Sequence, residues 1–156
     1  MAKKTGARFI ADTSGKALQE AVNEGVYLLK PNLRELSQLS GKESLDNDLV
    51  DDAAKELISK GKCEVVVVSM GAQGAYLVTK DITEHVQAPL VKRLSTVGAG
   101  DSMVAGMVHA LSTGKDLREM VRMGIACGTA ATMNPGTELF KKEDAQRLYT
   151  WLLNKK

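Results

Sequence analysis

The stretch STVGAGDSMVAG, residues 95–106, sets Gly98, Ala99 and Gly100 directly before an acid, Asp101, where a strand-like run gives way to a helix-like one. Small residues let a ligand approach the main chain closely. A helix starting near Ala99 would present several unpaired N–H groups, with the positive end of its dipole facing the same way. Such donors suit a phosphate, above all one gathering negative charge as it is transferred. A carboxylate on the same turn repels an anion. Its place is explained if it must take a proton from an incoming hydroxyl while the phosphate is held alongside. The same residues also fit a plainer pattern, a flexible turn whose acid stabilises the first helical turn.

Two familiar nucleotide motifs are excluded. No Lys-Ser or Lys-Thr follows the glycines, as a Walker loop needs, and Met103 stands where G-x-G-x-x-G requires its last glycine. Elsewhere, Asn32 and Glu35 have the spacing of a helix-capping pair, and Gly71 and Gly74 that of a tight turn. The run Gly124, Ala126, Gly128, Ala130 and Ala131 suits close helix packing. Cys63 and Cys127 lie far apart without a ligand-spaced partner, so no metal site is read from them. Buried, reduced thiols are expected, as in a cytoplasmic protein. His85 and His109 are isolated and receive no role.

The elements that must position these residues follow from hydropathy patterning. RFIADT (8–13) and VYLLKPN (26–32) read as short buried strands, the second stopped by Pro31. Between them, 14–24 reads as a helix with Ala17, Leu18, Ala21 and Val22 on one face. Asn32 can cap a helix carrying Leu33, Leu36 and Leu39. Residues 48–61 form the clearest amphipathic pattern, closed by Gly61. CEVVVVS (63–69) suits a central strand covered on both faces. AYLVT (75–79) and TEHVQAP (83–89) read as a terminal antiparallel hairpin. Helices are expected near 100–113, 116–133 and 142–153. The second of these opens on a capping box, DLRE, and the third carries Ala145, Leu148, Trp151 and Leu152 on its apolar side. Strands alternating with helices predict one α/β domain over residues 1–156 with a mainly parallel sheet.

The bulk properties agree with an ordinary globular chain. Its 156 residues are 44% hydrophobic and 26% charged, with three prolines and fourteen glycines. A net charge of +2 is too balanced to argue for a nucleic-acid or membrane surface. The lysine pairs at 3–4, 141–142 and 155–156 read as solvated ends. The N-terminal apolar run, Phe9 to Ala11, is too short for a signal peptide, and no stretch approaches the ~20 residues that span a bilayer. A soluble, cytoplasmic protein is expected.

STVGAGDSMVAG resembles the signature of the ribokinase-like, or phosphofructokinase B, carbohydrate kinases. LLKPNLREL (28–36) resembles the family's Asn-x-x-Glu segment, VVVSMGAQGA (66–75) its strand and turn beside the nucleotide, and GTAATMNPGT (128–137) the segment that closes over adenine and a monovalent cation. All four stand in the family's order and cover nearly the whole chain. The likeness is greatest to the ribokinase-type 6-phosphofructokinases and the related tagatose-6-phosphate kinases and 1-phosphofructokinases.

The resemblance implies a three-layer α/β/α fold and an ATP-dependent phosphotransferase acting on a sugar phosphate of the fructose 6-phosphate type. Asp101 would be the general base, with the backbone of Gly98, Ala99 and Gly100 as the anion hole. Lys30 and Asn32 would meet the nucleotide phosphates and Glu35 their Mg2+. Ser69, Gly71, Gly74, Thr96, Ile125 and Thr129 would line the rest of the nucleotide. Ser95, Val97, Ala131, Asn134 and Gly136 would surround a potassium-like ion, mostly through main-chain oxygens.

Family members are roughly twice this length, and the chain resembles their C-terminal half. The absent half would hold the sugar contacts and the lid, which supply positioning and exclude water. Two functions therefore stand open. The chain is the nucleotide-and-base half of a kinase, or a non-catalytic nucleotide-binding or assembly fragment that needs its N-terminal half. A sheet without its neighbouring strands exposes an edge, which implies a homo-oligomer or a complementary N-terminal half as partner.

Overall fold

The structure is a computed structural model that describes residues 5–42, 45 and 49–155. Lys3, Lys4 and Lys156, and Asp48 at the expected start of a helix, lie outside the described residues. The chain gathers into two compact units. One runs to Gly71 and includes Ala75–His85; the other comprises Ala72–Gly74 and the chain from Val86 onward.

The first unit is built on a five-stranded sheet in the order β1 (Ile10–Ala11), β2 (Val26–Leu29), β3 (Cys63–Ser69), β4 (Ala75–Val78), β5 (Thr83–Val86). β1, β2 and β3 run parallel, with Ala11 beside Leu29 and Leu29 beside Val66. β4 runs antiparallel to β3, with Val68 beside Tyr76. The short connection from β4 to β5 is closed by Thr79 N–H donating to Ile82 O at 2.8 Å, as expected of a hairpin. The sheet is therefore mixed, its parallel part being the three strands that precede the hairpin.

β3 explains why the four valines stand in a row. Val66 and Val68 join a core with Leu29, Leu18, Val22, Leu36, Val50 and Leu57, while Val65 and Val67 point the other way and are equally buried. Each such valine contributes about 1.5–3 kcal/mol by leaving water. Helices α1 (Gly15–Glu24), α2 (Leu33–Leu39) and α3 (Val50–Ser59) supply the apolar side chains facing this core. Gly61, at a φ of 67°, ends the α3 segment as its pattern predicts.

The second unit contains α4 (Ala99–Ser112), α5 (Leu117–Thr132) and α6 (Lys142–Asn154). Three glycines bring α4 and α5 together. A Cβ on Gly106 would stand 2.8 Å from Cys127 Sγ, one on Gly124 2.6 Å from Met107 Cγ, and one on Gly128 3.0 Å from Ala99 O. The small-residue run is thus a packing device. Gly74 is equally constrained, since a Cβ there would lie 2.0 Å from Val86 O.

Two expectations need correction. Asp116 does cap α5, accepting from Glu119 N at 2.8 Å, but the Glu119 carboxylate binds Lys115 Nζ at 2.8 Å and the Tyr149 hydroxyl at 2.9 Å. It ties α5 to α6. On α6, Trp151 is 45% exposed under the Lys155 ammonium, and Tyr149 takes the buried place beside Leu148 and Leu152. The Tyr149 hydroxyl finds in Glu119 the partner that a buried phenol needs.

Candidate functional site

The second unit holds the glycine-rich turn. Gly98 is the N-cap of α4 at φ 75° and ψ 0°, a left-handed conformation that a side chain resists, and no side chain caps the helix. The turn is held by Val97 N–H donating to Ser95 Oγ at 3.2 Å, Ala99 N–H to Thr96 O at 3.3 Å and Ser102 N–H to Gly98 O at 2.9 Å. Among the described residues, the N–H groups of Gly98, Gly100 and Asp101 find no acceptor. Three donors therefore stand free at the positive end of a 14-residue helix. Asp101, on the same turn, is exposed, whereas the next residue, Ser102, is buried with no partner for its hydroxyl. Gly128 sets the position of this turn, because α5 passes directly beneath Ala99 O.

A second cluster lies in the same unit. Ser95 Oγ donates to Gly136 O at 2.6 Å, and Leu94 and Ser95 N–H groups both donate to Thr132 O. Asn134 N–H donates to Ala131 O at 3.3 Å, and its buried side-chain amide donates to Ala130 O and Leu139 O at 3.2 and 3.0 Å. Ser95 thus links Val97 and Gly136 in one set of hydrogen bonds, and Asn134 and Ala131 belong to a second set at the end of α5. The oxygens these residues offer are neutral, carbonyl and hydroxyl, which fit a hard monovalent cation and not a soft metal. On α5, Ile125 and Thr129 are four residues apart and share a face. Ile125 is buried in the unit, and Thr129 is half-buried.

The first unit gathers polar residues where its parallel strands end, the edge at which open α/β sheets bind ligands. Ser69 N–H donates to Pro31 O at 2.9 Å, and Asn32 pairs with Ser69 as an isolated parallel bridge. Asn32 and Glu35 form a full capping box at the start of α2, each side chain taking the other's N–H at 2.9 Å. One Glu35 oxygen is thus committed. No group of three His, Cys, Asp or Glu side chains that could hold a metal occurs among the described residues. A single carboxylate beside phosphates is nonetheless a common way to hold Mg2+. Lys30 is buried and pairs with Asp12 Oδ1 at 3.1 Å. Gly71 opens the turn after β3 at φ 57°.

Asp12 and the buried Ser102 were not singled out by sequence reasoning. Asp12 had one signal, as the first acid after a buried strand. Close packing was expected of Gly128, but that its neighbour is the first turn of α4 depends on which helices meet. Cys63 and Cys127 are buried, and burial pushes their thiols up to about 12 and about 11. No helix among the described residues is long and apolar enough to cross a membrane.

Comparison with known proteins gives the family and the fold. The family model described as pfkB family carbohydrate kinase matches residues 1–144. The chain is 47% identical over 152 residues to the ATP-dependent 6-phosphofructokinase isozyme 2 of Escherichia coli strain K12, covering 97% of this chain and 49% of that protein. The crystal structure of phosphofructokinase-2 from Escherichia coli in complex with potassium superposes with a TM-score of 0.94 at 47% identity, over 98% of this chain and 50% of that one. Ribokinase from Arabidopsis thaliana, in a structure with ribose and ATP, shares the fold at a TM-score of 0.81 and 23% identity, over 94% of this chain and 49% of that one. The fold is ribokinase-like, and the chain spans about half the length of the relatives it matches. With its glycine-capped helix, its strand-end polar row and a family match over most of its length, the chain belongs to the pfkB family of carbohydrate kinases.

Proposed function

We propose that this chain is the nucleotide-binding and catalytic half of an ATP-dependent kinase, folded as one α/β domain, that phosphorylates a hydroxyl of a sugar phosphate of the fructose 6-phosphate type. The observation that carries the reading is the set of free N–H groups at Gly98, Gly100 and Asp101, with the exposed Asp101 carboxylate on the same turn. Asp101 takes the proton from the accepting hydroxyl, whose oxygen bonds to the terminal phosphorus of ATP as the bond to ADP breaks. The free amides, with the Gly98–Gly100 backbone as their frame, meet the charge that grows on the migrating group.

In the first unit, Lys30 and Asn32 are assigned to the nucleotide phosphates and Glu35 to Mg2+, which when bound neutralises phosphate charge. Ser69, Gly71, Gly74, Thr96, Ile125 and Thr129 are assigned to the remainder of the nucleotide. Ser95, Val97, Ala131, Asn134 and Gly136 are together assigned to K+. Their neutral oxygens support this, as does the potassium in the Escherichia coli structure. Charged substrates that cannot cross a membrane unaided place the reaction in the cytoplasm.

Two observations favour a second reading, a fragment that binds nucleotide but needs a partner. The chain covers 49% of its 6-phosphofructokinase relative, and β1 ends the sheet with only two residues. A second copy or an N-terminal half is the partner proposed for that edge. Calorimetric titration with MgATP, followed by ADP-release assays over a panel of hexose phosphates, tests both readings. The assays are run on the chain alone and with the N-terminal half of the Escherichia coli relative. Turnover in either setting supports the kinase. Binding without turnover in both supports the fragment, and no binding at all defeats both readings.

A further inference from the structure

At the carboxyl ends of two neighbouring parallel strands, Asp12 follows Ala11 and Lys30 follows Leu29, and Ala11 and Leu29 are register partners. Lys30 N–H donates to Ala11 O at 3.0 Å, so the two residues stand side by side one step past the paired strands. The Lys30 ammonium meets Asp12 Oδ1 at 3.1 Å, with the lysine side chain 6% exposed and the aspartate 27%. A buried ammonium needs a counter-charge, and removing one partner of such a pair is strongly destabilising. An ammonium has three donors, and one carboxylate oxygen occupies one of them.

We infer that Asp12 is a resident counter-ion for Lys30, standing in for a phosphate oxygen until a polyphosphate ligand arrives. The inference rests on the proposed role of Lys30 at the nucleotide phosphates. Asp12 stabilises the chain without ligand more than the chain with ligand, because in the latter the phosphate also compensates Lys30. By linkage, the carboxylate therefore lowers polyphosphate affinity by the factor it contributes to the stability of the ligand-free chain relative to the bound one. Asp12 is a positioning residue and takes no part in the chemical step.

Stability and affinity must then change in opposite senses. Asp12→Asn keeps the size and an acceptor oxygen while losing the charge. The variant is expected to unfold at lower urea than the parent yet to bind inorganic tripolyphosphate and MgATP about 10-fold tighter by calorimetry. Asp12→Glu keeps the parent's affinity. In a Lys30→Met background, Asp12→Asn gives no such gain. If Asp12→Asn does not fold alone, tripolyphosphate must restore its folding, since a ligand that binds only the native state shifts the equilibrium towards it. Unchanged or weaker binding by Asp12→Asn, a gain that survives Lys30→Met, or failure of tripolyphosphate to restore folding overturns the inference while leaving the kinase reading intact. A parent chain that binds neither ligand, alone or with the N-terminal half, overturns both.

Discussion

The carbonyl oxygen of Ala99 lies 3.0 Å from where a Cβ on Gly128 would sit, so the first turn of α4 rests on bare backbone of α5. Gly128→Ala must push that turn outward or shift Met103, whose Cβ is 3.3 Å away. The variant is expected to lose about 1–3 kcal/mol of stability. It should also bind MgATP more weakly than a surface control of equal stability, measured by urea unfolding and calorimetry.

Asp101 is exposed on a helical turn where the N–H groups of Gly98, Gly100 and Asp101 are free, the arrangement on which its proposed role as base rests. Asp101→Asn is expected to lower phosphoryl transfer ~10²–10⁴-fold, with MgATP affinity held near the parent value. Single-turnover assays in whichever setting is active, with calorimetry beside them, separate the two quantities. Unchanged transfer removes Asp101 from the chemistry.

Asn32 and Glu35 satisfy each other's backbone at 2.9 Å on both sides. Asn32→Ala should cost about 0.5–2 kcal/mol, and Asn32→Asp, which keeps the capping oxygen, much less. A role at phosphate adds a separate signature. Asn32→Asp keeps the cap but sets a negative charge beside an anion, so it should weaken tripolyphosphate binding while hardly moving the urea midpoint.

Cys63 and Cys127 titrate near 12 and 11 in the fold against an ordinary 9.0, both through burial. Above pH 9 the unfolded chain gives up thiol protons that the native chain retains, so unfolding free energy falls as pH rises. Their contribution is whole below 9 and is lost between 9 and about 11–12. Urea midpoints under reducing conditions should drop between about pH 8 and about pH 10, and less so when both cysteines are replaced by alanine.

Much of the architecture was legible because its signals are local. The valine run of β3, Gly61 after α3 and the Asn32 cap each encode their own conformation within a few residues. The glycine-rich turn was legible for the same reason, since Gly98 must take a positive φ and an acid follows on the first helical turn. What escaped depends on distant partners. Trp151 is the larger ring, but Tyr149 is buried because Glu119 on α5 accepts its hydroxyl. Asp12 gained meaning only once β1 and β2 were in register and Lys30 stood beside it.

Gly74 and Gly98 carry a genetic consequence. Every missense change of one base in a glycine codon installs a residue with a Cβ. At position 74 that atom would collide with the Val86 carbonyl, and at position 98 it meets Leu139 Cδ2 at 3.1 Å on a backbone turned the wrong way for it. These two sites therefore have no silent neighbours among amino acids, and drift through the gene should leave them standing while the codons around them change.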